Sequence, residues 1–147
     1  MEYQIRTISA DETLALRQAV LRQHQETHEC VFAHDTDAES FHLGAFAGGQ
    51  LIAISSFLKD SHPDLPQPES QFRIRGMATL PDYRKQGIGM ALLTEGLSRL
   101  RQRHATSVWC NARETALGFY KRAGFVTVGE RFELPGIGAH YVMWREV

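Results

Sequence analysis

Arg73-Ile74-Arg75-Gly76-Met77-Ala78-Thr79-Leu80-Pro81-Asp82-Tyr83-Arg84-Lys85-Gln86-Gly87-Ile88-Gly89-Met90-Ala91-Leu92-Leu93 is the stretch on which the fold turns. Phe72 to Thr79 reads as a strand, and Pro81 ends it. From Ile88 to about Arg103 the spacing predicts a helix, with Leu92, Leu93, Leu97 and Leu100 as its buried stripe. Between them stand two glycines one residue apart. The first amides of a helix have no intrahelical partner, and the helix dipole adds partial positive charge there. Glycine at 87 and 89 keeps side chains away from those amides, and Arg84 and Lys85 bring full charges beside them. Arg84, Lys85, Gln86, Gly87, Ile88 and Gly89 are therefore expected to cradle a phosphate or pyrophosphate. The plainer alternative is a tight strand-to-helix turn with no ligand. Neither GxxxxGK[ST] nor GxGxxG is present, which sets aside the two commonest nucleotide loops.

Outward from this unit, Tyr3 to Ile8 alternates as a first strand, and Ser9 or Asp11 can cap a helix running to about Gln25. His24 to Ser40 is polar and without period, a loop or a short second helix. Phe41 to Phe46 and Leu51 to Leu58 are strands joined through Ala47-Gly48-Gly49-Gln50 as a tight hairpin. Lys59 to Ser70, with Pro63, Pro66 and Pro68, is an exposed connection. Thr106 to Cys110 is a strand and Glu114 to Ala123 a helix. Phe125 to Glu130 and Tyr141 to Arg145 are two antiparallel strands about Pro135-Gly136-Ile137-Gly138. The order β-α-β-β-β-α-β-α-β-β implies an α/β (mixed α+β) domain, a mixed sheet covered by helices, over residues 1–147.

The formal net charge of −1 leaves no basic field to recruit nucleic acid. No run approaches the ~18 apolar residues of a membrane span. Two cysteines, Cys30 and Cys110, form no CxxC pair and no disulfide framework. With no apolar leader after Met1, the expected compartment is the cytoplasm.

Arg84 to Gly89 also fits the signature of the GNAT family of N-acetyltransferases: Arg or Gln, two residues, Gly, one residue, then Gly or Ala. The chain resembles that family most closely from Arg73 to Phe125. The resemblance implies a sheet of about seven strands flanked by about four helices, with two central parallel strands splayed apart. It implies acetyl-CoA in the gap, its pantetheine arm along Met77, Ala78 and Thr79. Trp109-Cys110-Asn111 and Phe119-Tyr120…Gly124-Phe125 are similar to the family's fifth strand and the helix after it. By that likeness Asn111 binds the pantetheine or nearby backbone, and Tyr120 is the general acid for the departing thiolate. Asn111 as a helix N-cap, and Tyr120 as core packing, are the rival readings. The resemblance leaves a homodimer open, because many relatives pair.

An amine attacks a thioester only when neutral, so a base is needed. His140, at the start of the last strand, is the first candidate, ahead of Glu130 and Glu133; its alternative is a histidine that satisfies loop backbone. His24, His28, Cys30, His34, Asp35 and Asp37 hold potential metal ligands, but without the paired cysteines of a structural zinc site, and the expectation is no metal. Arg99, Arg101 and Arg103 read as a solvated helix end. The expected activity is acetyl transfer to the primary amine of a small molecule or peptide. A CoA-binding module without transfer activity is the alternative.

Overall fold

The computed structural model describes residues 1 to 147. Seven strands form one sheet: β1 (Gln4–Ile8), β2 (Phe41–Ala47), β3 (Gln50–Lys59), β4 (Gln71–Thr79), β5 (Ser107–Arg113), β6 (Val126–Leu134) and β7 (Gly138–Glu146). Their order is β1-β2-β3-β4-β5-β7-β6. Only β4 and β5 run parallel; every other pair is antiparallel. The parallel pair follows from the connection, since α2 (Ile88–Gln102) carries the chain back across the sheet between them.

Both faces of the central strands are covered. Leu92, Leu93, Leu97 and Leu100 of α2 are all buried, in one cluster with Ala53, Phe57, Phe72, Ile74, Val108 and Phe125. Each such leucine contributes roughly 1.5–3 kcal/mol. On the other face α1 (Ala10–Leu16) presents Leu16 to Ile8, Ile54 and Ala78. Ser9 caps α1 in a reciprocal box, its hydroxyl accepting from the Glu12 amide at 3.2 Å while Glu12 accepts from the Ser9 amide at 2.9 Å. The helix continues as a π turn over Arg17–Leu21 and stops there, short of Gln25.

A third helix, α3 (Leu117–Arg122), follows a 3-10 turn at Glu114–Ala116. The fourth expected helix does not form. Within 24–40 there is one 3-10 turn, Thr27–Cys30, and the rest is a series of single backbone turns tied to the body by side-chain bonds. No helix is long and apolar enough to cross a membrane.

One irregularity in β4 sets up everything that follows. Ser56 pairs with Arg75 and Ile54 with Ala78, so Gly76 and Met77 together oppose Ser55. This is a β-bulge, with Gly76 at φ +66°. Its extra residue inverts the facing of the strand. Ile74, before it, belongs to the α2 cluster; Ala78, after it, belongs to the α1 cluster. The bent strand then leaves its neighbour.

Candidate functional site

β4 and β5 are paired only at Gln71–Ser107, Phe72–Val108 and Arg73–Trp109. Beyond Arg73 the two strands part, and a cavity of about 250 Å³ opens between them. The β4 edge that faces it, through Met77, Ala78 and Thr79, has no strand partner on the β5 side. Met77, Asn111, Tyr120 and His140 all line this cavity. The side chain of Ala78 is buried toward α1, so this residue offers backbone alone, and the Thr79 carbonyl accepts from Arg84 Nε at 3.3 Å.

The turn into α2 is open. Amides 85 to 90 find no partner within the chain, and no side chain caps the helix. Lys85 and Gly87 take left-handed φ of +62° and +80°. Alternation of this kind turns successive N–H groups toward one concavity, where they suit an anion. A Cβ at Gly87 would meet nothing within 4 Å, so glycine there answers to backbone conformation. Gly89 is different. A Cβ on it would sit 3.6 Å from the Phe119 ring and 3.9 Å from Met77 Sδ, pointing between α2 and α3 rather than over the amides. Ile88 is buried and contributes only its amide; Arg84, Lys85 and Gln86 are exposed. The turn is not itself part of the cavity wall. Met77 and Phe119 connect the two, since Phe119 also packs edge-on against Tyr120 at 5.1 Å.

Tyr120 is 8% exposed, set between Phe119 and Phe125, and it neighbours the thiol of Cys110 on β5. Burial holds its pKa well above the usual phenol value, and the neighbouring Cys110 adds to this. Burial likewise pushes the Cys110 thiol up to about 12, with the Arg73 charge and Tyr120 only partly opposing it. Both groups stay protonated near neutral pH. Asn111 lies inside β5 and caps neither following helix, which removes that rival reading; the Glu114 turn is capped by no side chain.

His140, 3% exposed, stands opposite Arg113 of β5 and Phe132 of β6. Its Nδ1 lies 2.8 Å from the Gly138 carbonyl. A carbonyl only accepts, so Nδ1 carries the hydrogen and Nε2 of the neutral ring keeps its lone pair. The loop-satisfying role and the basic nitrogen thus coexist. Glu133 is drawn to Arg131 at 3.1 Å, Glu130 is exposed, and neither borders the cavity.

Four cationic residues on the cavity wall have no counterpart in the sequence-based expectations as site residues: Arg22, Arg73, Arg75 and Arg113. No aspartate or glutamate lines the cavity with them. Arg73 lies on Trp109 at 4.7 Å with Asp60 3.7 Å away. Arg75 lies on Phe32 at 4.0 Å. Burial first, and then the like charges of Arg73, Arg22 and Arg17, together lower the Arg75 pKa to about 10, with Asp35 opposing. The available signal was Arg73-Ile74-Arg75, two cations on one face of a strand.

The early polar segment does not gather its ligands. Asp35 is taken by Arg17, His34 pairs with Asp37 at 2.7 Å, and Cys30 is buried near Gln25 and Glu26. The helix end is also more engaged than a solvated one: Arg99 bonds Glu95 and Thr7, and Arg103 donates to the Glu39 carbonyl at 2.8 Å.

Residues 8–143 match the family model for an acetyltransferase (GNAT) domain. A curated Bacillus subtilis (strain 168) protein, the uncharacterized N-acetyltransferase YitI, is 42% identical over 142 residues, covering 97% of this chain and 95% of that one. Escherichia coli ElaA superposes with a TM-score of 0.80 at 21% identity, over 99% of this chain and 100% of its own. An acyl-CoA N-acyltransferase from Pseudomonas aeruginosa does so with a TM-score of 0.74 at 25% identity, over 98% of each chain.

Proposed function

The chain belongs to the GNAT family of acetyltransferases, and on that premise we propose that its acceptor is a small primary amine that also carries an anionic group. We place the whole reaction in a single N-acetyltransferase domain spanning residues 1–147. The observation that carries the acceptor assignment is a cavity walled by four guanidinium groups and no carboxylate. Crowding like charges in a partly buried site is costly, and a carboxylate or phosphate on the acceptor would relieve it. A polyamine would add to the repulsion. This narrows the range of small-molecule and peptide amines that the sequence leaves open.

Acetyl-CoA, the co-substrate of the family, supplies the acetyl group on a thioester. The free amides of 85 to 90, with Arg84 and Lys85, fit its pyrophosphate. The unpaired edge at Met77, Ala78 and Thr79, with Asn111 opposite, fits an amide-bearing arm. His140 Nε2 takes the proton that the acceptor ammonium must shed before its nitrogen can attack. The Tyr120 hydroxyl, kept protonated by burial, hands a proton to the departing sulfur. The arginines orient the acceptor's anionic end and so aim its amine at the basic nitrogen.

Release of thiol from acetyl-CoA tests this across matched amines: phosphoethanolamine against ethanolamine, glycine against glycinamide, and spermidine. The anionic member of each pair should show a kcat/KM at least about tenfold higher, the value of one charge-assisted bond. Preference for spermidine, or no preference within the pairs, sinks the assignment.

A further inference from the structure

Behind the arginine wall lies a second ionic arrangement that touches no solvent. Arg17 is 0% exposed and Asp35 4%. Their contact is two-pronged, Nη1 to Oδ2 at 2.7 Å and Nη2 to Oδ1 at 2.9 Å. Arg17 also donates to the Cys30 carbonyl at 3.0 Å and to Ser56 Oγ at 2.9 Å. Asp35 further accepts the Phe32 amide at 2.9 Å. His42 closes the set: Nε2 donates to the Asp35 carbonyl at 2.9 Å, and Nδ1 accepts the Ser56 hydroxyl at 2.7 Å. A buried ion pair of this kind adds little to stability compared with well-packed apolar side chains. Its presence calls for another reason.

What the pair grips supplies that reason. Phe32 is held by its amide to Asp35, and its ring takes the Arg17 guanidinium at 3.8 Å and that of Arg75 at 4.0 Å. Phe32 is therefore the platform on which a cavity cation rests. The same two side chains fill the hollow of the β4 bulge: a Cβ at Gly76 would fall 2.8 Å from the Phe32 ring and 3.3 Å from Arg17 Nε. The pair thus backs the cavity wall at Gly76 as well as at Phe32. Asp35 is also the carboxylate that opposes the mutual repulsion of Arg17 and Arg75.

We propose that Arg17 and Asp35 are positioning residues for acetyl transfer, holding Phe32, and through it Arg75, in the geometry that binds the acceptor. The inference rests on the placing of the acceptor in this cavity. It differs from a merely structural role in being selective, because the amides of 85 to 90 that fit acetyl-CoA lie elsewhere. The test uses whichever panel amine the wild type turns over best, so the charge preference is read from the wild type alone and the clamp from the variants. Asp35→Asn, and the charge-free pair Arg17→Met with Asp35→Leu, should raise the acceptor KM about tenfold or more, with kcat within about threefold. Acetyl-CoA affinity by calorimetry should stay within about twofold. An acceptor KM near the wild-type value in a folded variant overturns the proposal, as does a parallel loss of both affinities. Should those variants fail to fold, Ser56→Ala removes only one partner of Arg17. It should raise the acceptor KM about threefold at unchanged acetyl-CoA affinity, and an unmoved KM overturns the proposal equally.

Discussion

Replacing Arg75 with methionine should stabilise the protein while damaging its use of acceptor. The fall of the Arg75 pKa to about 10 from the ordinary guanidinium value corresponds to about 3 kcal/mol held against the charged form. The group still reaches solvent in the cavity, and screening reduces this to about half. Its stacking on Phe32 returns roughly 0.5–1 kcal/mol, and the methionine side chain keeps part of the packing. The net gain for the variant is about 1 kcal/mol, a rise in Tm of about 3 °C for a chain of this size. The sign with pH follows from the direction of the shift. The folded pKa is depressed, so the charged form carries its full cost at every pH below about 10, and the cost declines between that value and the ordinary guanidinium pKa. The gap between variant and wild type should therefore be flat from pH 6 to 9 and close above it. Melts in low-salt, phosphate-free buffer measure it, and acceptor KM should rise about tenfold to a hundredfold in the same variant. A variant that melts at or below the wild type under those conditions would refute the reasoning, because stacking would then outweigh desolvation and repulsion.

Three further outcomes are expected. Tyr120→Phe should lower kcat by about 10²–10⁴ with acetyl-CoA affinity unchanged by calorimetry; lost affinity with retained turnover would make the ring a packing group only. His140→Gln should lower kcat/KM by about 10²-fold and flatten the acidic limb of the pH–rate profile, and an unaltered limb would dismiss Nε2 as the base. Gly87→Ala should cost about 1–2 kcal/mol in stability by chemical denaturation, because its φ of +80° disfavours a side chain. The same variant should also bind acetyl-CoA less tightly, whereas Gly89→Ala meets only ordinary contacts and should be tolerated far better.

Much of the fold is legible in local pattern. The leucine stripe of α2, the Ser9 cap and the Gly48-Gly49 hairpin all rest on contacts a few residues apart, and each is found in place. The open turn at Gly87 is local too, since both its glycine and its free amides belong to one short segment. The first helix was harder. Its apolar spacing continues past Leu16, but the chain there winds into a π turn whose Arg17 is committed to partners 13 to 39 residues away. No period along the sequence carries that information.

What the amino-acid sequence determined by itself was the order of elements, the family and the open glycine turn before α2, because helix starts, strand alternation and glycine turns are short-range physics. Tertiary structure alone decided the character of the cavity between β4 and β5. Arg22, Arg73, Arg75 and Arg113 come from a helix end and two strands, and they converge where β4 and β5 part beyond Arg73. The charge of a cavity depends on which distant side chains are brought to its wall, and a net charge of −1 for the whole chain conceals it.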